Sequence, residues 1–236
     1  MPTSPGNVIY RNLANIVSIL GVLPICVLFH QDGFVFLIPL MIYNNIMDDL
    51  DGILAAKLDI KSNFGALLDN VCDAIAHTVF VMLVGMHYFQ QEGNSYVSGA
   101  CLAVGVLAAL AIVLRVVSRL DPTSVTGTGS PTNELIRHMF FLLVLAQIFE
   151  FNPAPFLIVA FVLHTISMLV PYGMPYMIRS LADSAMAVGW INVALVVAWL
   201  LPATTPMIAA CFFLTYLYSL VVGGIKCKLM QTKTAS

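Results

Sequence analysis

Eight apolar runs separated by short polar breaks constrain this chain more than any other feature in it. They cover roughly residues 13–30, 33–57, 63–89, 96–118, 135–151, 154–172, 180–200 and 204–225. Most reach the ~17–25 residues a helix needs to cross a hydrocarbon core, the fifth only just. A soluble domain carries about a quarter charged residues, whereas this chain of 236 residues has 9% charged and 60% hydrophobic residues. The expectation is all-α: a polytopic transmembrane helix bundle of about eight spans, with residues 1–236 forming one membrane-embedded domain. The breaks carry turn chemistry, as in His30-Gln31-Asp32-Gly33, Asn152-Pro153 and Pro202-Ala203-Thr204. No small-residue cleavage site follows the first run, which therefore reads as a retained span.

The cations fix an orientation. Arg11, Lys57, Lys61, Arg115, Arg119, Arg137, Arg179, Lys226, Lys228 and Lys233 all fall at alternate ends of eight spans, on the side shared by both termini. The other connections hold no Lys or Arg, so the positive-inside rule makes both termini cytoplasmic. Merging the fifth and sixth runs would split Arg179 from the Lys226–Lys233 cluster across the membrane. The net charge of -2 is uninformative, and no basic stripe points to nucleic acid as a partner. The five cysteines are scattered and read as apolar residues or plain thiols.

Acids do not belong in such a bundle unless they pair, bind ions or line a cavity, yet six of the twelve lie between Asp48 and Asp73. Asp48 and Asp51 are three residues apart, on one face of the second helix. Asp69 and Asp73 are four apart, on one face of the third. The turn between these helices centres near Ile60, so at ~1.5 Å rise per residue Asp51 should face Asp69, and Asp48 should face Asp73. The hairpin 33–89 then opens toward the cytoplasm with four carboxylates that cannot all stay ionised without cations. Hard oxygen ligands suit Mg²⁺ or Mn²⁺, with Ca²⁺ also acceptable, and the lack of His or Cys ligands disfavours zinc. Two such ions would clamp a phosphoryl displacement. Gly52 and Gly65 sit inside the same helices at a cost of ~1 kcal/mol each against Ala. Close packing explains each singly; their register with the aspartates favours ligand contact. Asp49 points off the Asp48/Asp51 face and, like Asp59 in the turn, is expected to be solvated. His77 is a candidate neighbour of Asp73 or a hydrogen-bonded bundle histidine, and His164 reads as structural.

The segment from Asp48 to Asp73 resembles the signature of the CDP-alcohol phosphotransferase family, D-x-x-D-G-x-x-A-R, eight residues, then G-x-x-x-D-x-x-x-D. Seven of the eight specified positions match across 26 residues: Asp48, Asp51, Gly52, Ala55, Gly65, Asp69 and Asp73. The resemblance implies a membrane-embedded bundle, usually a homodimer. It implies transfer of a phosphatidyl group from a CDP-diacylglycerol-like donor to a small polar alcohol acceptor, with release of CMP. Asp48, Asp51, Asp69 and Asp73 would ligate the two divalent cations, and Asp73 would also act as base on the acceptor hydroxyl. Gly52, Ala55 and Gly65 would lie against the cytidine and diphosphate. The signature Arg is replaced by Ala56, leaving Lys57 or Lys61 to supply that charge. The family's P-N-x-x-T start is echoed by Asn12-Leu13-Ala14-Asn15, which makes Asn12 a candidate nucleotide contact; helix-start Asn residues are also ordinary caps.

The acceptor is sought in residues 115–138. Arg115 and Arg119 end the fourth helix, a Gly/Ser/Thr-rich loop follows with Ser130 and Thr132, and Arg137 lies beyond it. These arginines read either as headgroup anchors or as grips for an anionic, hydroxylated acceptor. The stretch is similar to that of phosphatidylserine synthases, which implies L-serine as acceptor. Glycerol 3-phosphate, as in a phosphatidylglycerophosphate synthase, and an inositol phosphate are the alternatives. The non-enzyme alternatives are a membrane cation carrier, which would spread its acids over several helices, and an inactive family member.

Overall fold

The computed structural model describes residues 5–91, 95–120, 131–170, 173–174, 176–181 and 184–234. Every regular element among them is helical: α1 (Pro5–Arg11), α2 (Leu13–Val22), α3 (Leu37–Lys57), α4 (Asn63–Gln91), α5 (Tyr96–Leu120), α6 (Pro131–Phe149), α7 (Ala154–Leu169), α8 (Ala185–Leu200) and α9 (Thr205–Thr234). Each apolar run contains a helix. Among the described residues, four stretches are long and apolar enough to cross a membrane: Asn63–Gln91, Tyr96–Ser118, Pro131–Phe149 and Pro202–Met230. The helix α3 has 21 residues, but it carries three aspartates and Lys57.

The ends differ from the sequence reading for local reasons. The first run is α-helical only to Val22 and tightens into a 3₁₀ segment over Leu23–Phe29, because Pro24 has no N–H to donate back along the helix. The fifth helix begins at Pro131 rather than 135. Proline's fixed φ suits the first helical position, and the polar residues after it find partners inside the protein. The polar stretch before it is shortened accordingly. Ser130 and the rest of 121–130 lie outside the described residues.

The helix α6 forms the axis of the bundle. All residues from Pro131 to Val144 are buried, and α6 packs on α3, α4, α7 and α9. The pair α4–α5 forms the most extensive contact, with α7 laid against α5. The helix α2 lies against both α3 and α4, and so forms the third wall beside the aspartate hairpin. Phe80, Ile112, Leu135, Phe141 and Phe161 are fully enclosed where these helices meet.

Candidate active site

The turn between α3 and α4 is fixed at both ends, which sets the register of the aspartates. Asp59 takes a left-handed φ of 53°, a conformation Asp tolerates better than most residues. The Ile60 N–H then reaches back to the Ala55 carbonyl at 3.1 Å, closing the helix with a Schellman cap. On the far side Ser62 caps α4, its Oγ accepting from the Gly65 N–H at 2.9 Å.

Asp48, Asp51 and Asp69 each direct a carboxylate oxygen into one group whose members lie within 4.8 Å of one another. Asp51 is 5% exposed and accepts a hydrogen bond from the Ser18 hydroxyl of α2. Asp48 accepts from Asn133 Nδ2 at 2.9 Å, and the Thr132 hydroxyl donates in turn to Asn133 Oδ1 at 3.3 Å. Asp73 does not join the group; its Oδ1 is 3.9 Å from His77 Nε2, one turn further along α4. The layer of Asp51 and Asp69 thus forms as the hairpin register requires, but Asp48 turns toward it instead of toward Asp73. A trio of hard oxygens from two helices, two of them oriented by hydrogen bonds, fits a divalent cation such as Mg²⁺ or Mn²⁺.

A cleft of about 350 Å³ runs from this group between α2, α3 and α4. Gly52, Ala55, Gly65 and Lys61 line it, together with Asn15 and Ser18. The two glycines differ. A Cβ on Gly52 would meet nothing within 4 Å, whereas one on Gly65 would come within 3.0 Å of Asn15 Oδ1 and 3.1 Å of Ser62 Oγ. Gly65 lets α2 and the Ser62 cap approach α4; Gly52 leaves a bare stretch of helix facing open space. Neither Asn12 nor Lys57 lines the cleft. Asn12 accepts from Asn15 Nδ2 at 3.0 Å and so orients the residue that does line it.

The family model for CDP-alcohol phosphatidyltransferase matches residues 11–198. The chain belongs to that family. No curated protein matches it. It is therefore a phosphotransferase that moves a phosphatidyl group from a CDP-alcohol donor to an alcohol and releases CMP. With its four long apolar helices it is an integral membrane enzyme.

The transferase corrects one reading of its own signature segment. Asp49 is not solvated: it is 2% exposed and accepts from Asn192 Nδ2 of α8 at 2.7 Å and from Asn45 Nδ2 at 3.4 Å. Asn45 also donates to Asn192 Oδ1 at 2.6 Å and accepts from Arg137 Nε at 3.0 Å. Arg137 closes the network on Glu134 Oε1 at 3.0 Å. The face of α3 that carries Asn45 and Asp49 is polar as well, and α6 and α8 pack against α3.

Of the acceptor candidates, Arg115 is buried on α5 and Thr132 on α6, while Arg119 ends α5 with its side chain outside the described part. Arg137 is 1% exposed and bonded to Glu134 and Asn45, so it is neither a headgroup anchor nor open to solvent. Sequence reasoning missed Ser18 and Asn133 as partners of Asp51 and Asp48. Ser18 was within reach, because it lies three residues after Asn15 and shares its helix face.

Proposed function

We propose that the enzyme makes a phospholipid from a CDP-diacylglycerol-like donor and L-serine, with Asp48, Asp51 and Asp69 holding divalent cations, Mg²⁺ or Mn²⁺, and Asp73 completing that set. The observation that carries this reading is the trio of carboxylate oxygens within 4.8 Å at one end of the cleft along Gly52 and Ala55. When bound, such ions neutralise the charge on the phosphoryl and leaving-group oxygens.

The chain's own residues do the rest. Ser18 and Asn133 hold Asp51 and Asp48 in fixed orientations for ligation. The bare backbone at Gly52 admits the nucleotide close to α3, and Lys61 at the rim supplies charge to the diphosphate that Ala56 cannot. Asp73, beside the trio and next to His77, takes the proton from the acceptor hydroxyl as it attacks the donor's β-phosphorus. Arg115 and Arg119 lie on the helix that ends beside the loop leading to Thr132, and they serve the acceptor's anionic group. Eight spans, with both termini and the cleft facing the cytoplasm, account for ten cations at alternate helix ends. We take the working form to be a homodimer, as is usual in the family.

The deciding experiment presents purified enzyme, Mg²⁺ or Mn²⁺ and CDP-diacylglycerol with L-serine, glycerol 3-phosphate or an inositol phosphate in parallel, and reads CMP. Release dependent on L-serine is the expected result. Release with glycerol 3-phosphate alone would replace the acceptor and keep the site. No CMP with any acceptor would overturn the reading.

A further inference from the structure

Two hydrogen bonds tie α6 to α3 about one helical turn apart, and α6 donates both. Asn133 Nδ2 reaches Asp48 Oδ2 at 2.9 Å, and Arg137 Nε reaches Asn45 Oδ1 at 3.0 Å. Asn133 and Arg137 are four residues apart on α6, about 6 Å along its axis, and Asn45 and Asp48 are three apart on α3. The two rungs serve different ends. The first holds a metal ligand, whereas the second ends on a neutral amide outside the carboxylate trio.

Burial of Arg137 at the second rung calls for a reason. It is 1% exposed, as is Glu134, which accepts from its Nη1 at 3.0 Å. A buried ion pair adds little net stability, because desolvating both charges consumes most of their attraction, and apolar side chains of similar volume often do as well. An arginine supplies direction instead, through a planar fork that bonds two partners at fixed angles. Leu135, Ile136, Met139 and Phe140 flank it in α6 and are buried too, but apolar burial by itself is non-directional.

Direction matters at the start of α6. Asn133 lies two residues after Pro131, in the first helical turn, where the backbone lacks its full set of helical bonds. The Thr132 hydroxyl donates to Asn133 Oδ1 at 3.3 Å, which leaves the amide N–H to face Asp48. That geometry holds only while the first turn of α6 keeps its register with α3, and Arg137 fixes the register one turn further in. We propose that Arg137 is a positioning residue for the metal ligand Asp48. Locked to Asn45 and Glu134, it sets the height and rotation of α6, and through them the Asn133–Asp48 bond. The inference rests on the reading of Asp48, Asp51 and Asp69 as metal ligands.

The test measures Mn²⁺ binding to the purified full chain by calorimetry, beside CMP release as Mn²⁺ is varied. Arg137→Lys keeps the charge and can still pair with Glu134, but lacks the fork that also holds Asn45. Asn45→Ala cuts the same rung and leaves Arg137 on Glu134, so it decides the matter if Arg137→Lys does not fold. Each should weaken Mn²⁺ binding about tenfold, as loss of a partner behind a ligand does. The Mn²⁺ needed for half-maximal CMP release should rise in step, with kcat at saturating Mn²⁺ restored to within about threefold. Adding Arg137→Lys to Asn133→Ala should cost no further Mn²⁺ affinity, since Arg137 acts through Asn133. Asn192→Ala, which removes another partner of Asn45, should leave Mn²⁺ affinity unchanged; an equal loss there would mean general loosening and would overturn the proposal. Losses that multiply in the double variant overturn it, as does a lower melting temperature with unchanged Mn²⁺ affinity. A higher KM for L-serine at unchanged Mn²⁺ affinity also overturns it and returns Arg137 to the acceptor. A wild-type enzyme that neither binds nor needs a divalent cation removes the metal reading itself, and this inference with it.

Discussion

Asp48 and Asp49 are neighbours in sequence with opposite fates. Asp49 lies in a closed network: two amide groups donate to it, Arg137 and Glu134 complete the circuit, and α6 and α8 exclude solvent. Asp48 lies in an open group, turned toward Asp51 and Asp69 with carboxylate oxygens within 4.8 Å and the cleft beyond. A buried anion held by amide donors from two helices acts as a strut. Several anions crowded together repel and call for cations. The difference lies in what each face of α3 meets.

The largest effect should come from the open group. Asp51→Asn or Asp69→Asn keeps the shape and a hydrogen-bonding oxygen but removes a charged ligand. CMP release should fall by about three orders of magnitude, as removal of a group central to charge stabilisation does. Thermal stability in detergent should hold or rise, since crowded anions repel. Asp73→Asn should abolish turnover comparably while leaving Mn²⁺ binding, read by calorimetry, nearly intact. Full activity in Asp73→Asn would remove it as the base.

Next is Gly52→Ala. The added methyl meets no protein atom within 4 Å, and alanine favours a helix by ~1 kcal/mol over glycine, so the fold should gain slightly. The methyl instead occupies cleft space, and KM for the donor should rise about tenfold, a typical consequence of displacing a ligand against bare backbone. Gly65→Ala is the contrast: its methyl would press on Asn15 and Ser62, so stability should fall as well. A Gly52→Ala enzyme with unchanged donor KM would mean the nucleotide lies elsewhere.

The closed network should respond in stability. Asn192→Ala removes the 2.7 Å donor to Asp49. Hydrogen bonds between membrane helices are worth about 0.6 kcal/mol on average and about 1.7 at most. This one serves a buried carboxylate, so a loss near the upper figure is expected, seen as a lower melting temperature. CMP release per folded enzyme should change less than threefold, a small effect beside Asp51→Asn. A collapse of kcat with intact stability would make Asp49 part of the chemistry.

The same contrast explains what could be read without coordinates. Asp48, Asp51 and Asp69 were legible because helical spacing and the turn at Ile60 are local properties, and the turn is capped where the chain chemistry says it should be. Asp49 was misread because its partner, Asn192, is 143 residues away, and a helical wheel reports direction but not what lies there. The pairing of Asp48 with Asp73 assumed two helices in simple antiparallel register. In the structure α2 packs on both and Asn133 arrives from α6, so Asp48 is drawn toward Asp51 and Asp69. Ser130 and the side chain of Arg119 carry acceptor assignments that rest on sequence alone.

The smallest effect concerns the missing signature arginine, and it tests whether the open side of α3 is as specific as the closed one. Lys57 and Lys61 are both exposed, but only Lys61 lines the cleft. Lys57 follows Ala56 by 100° of helical turn and ends α3. An exposed lysine facing a phosphate acts through a screened charge, worth at most a few-fold in binding. Lys61→Ala should therefore raise donor KM about threefold at low salt and less as salt increases, whereas Lys57→Ala should stay within about twofold at any salt. Equal losses for the two lysines would mean that charge at the helix end, not position in the cleft, compensates for Ala56. A larger loss for Lys57→Ala would mean its side chain reaches round the helix, and the cleft wall would have to be redrawn to include it.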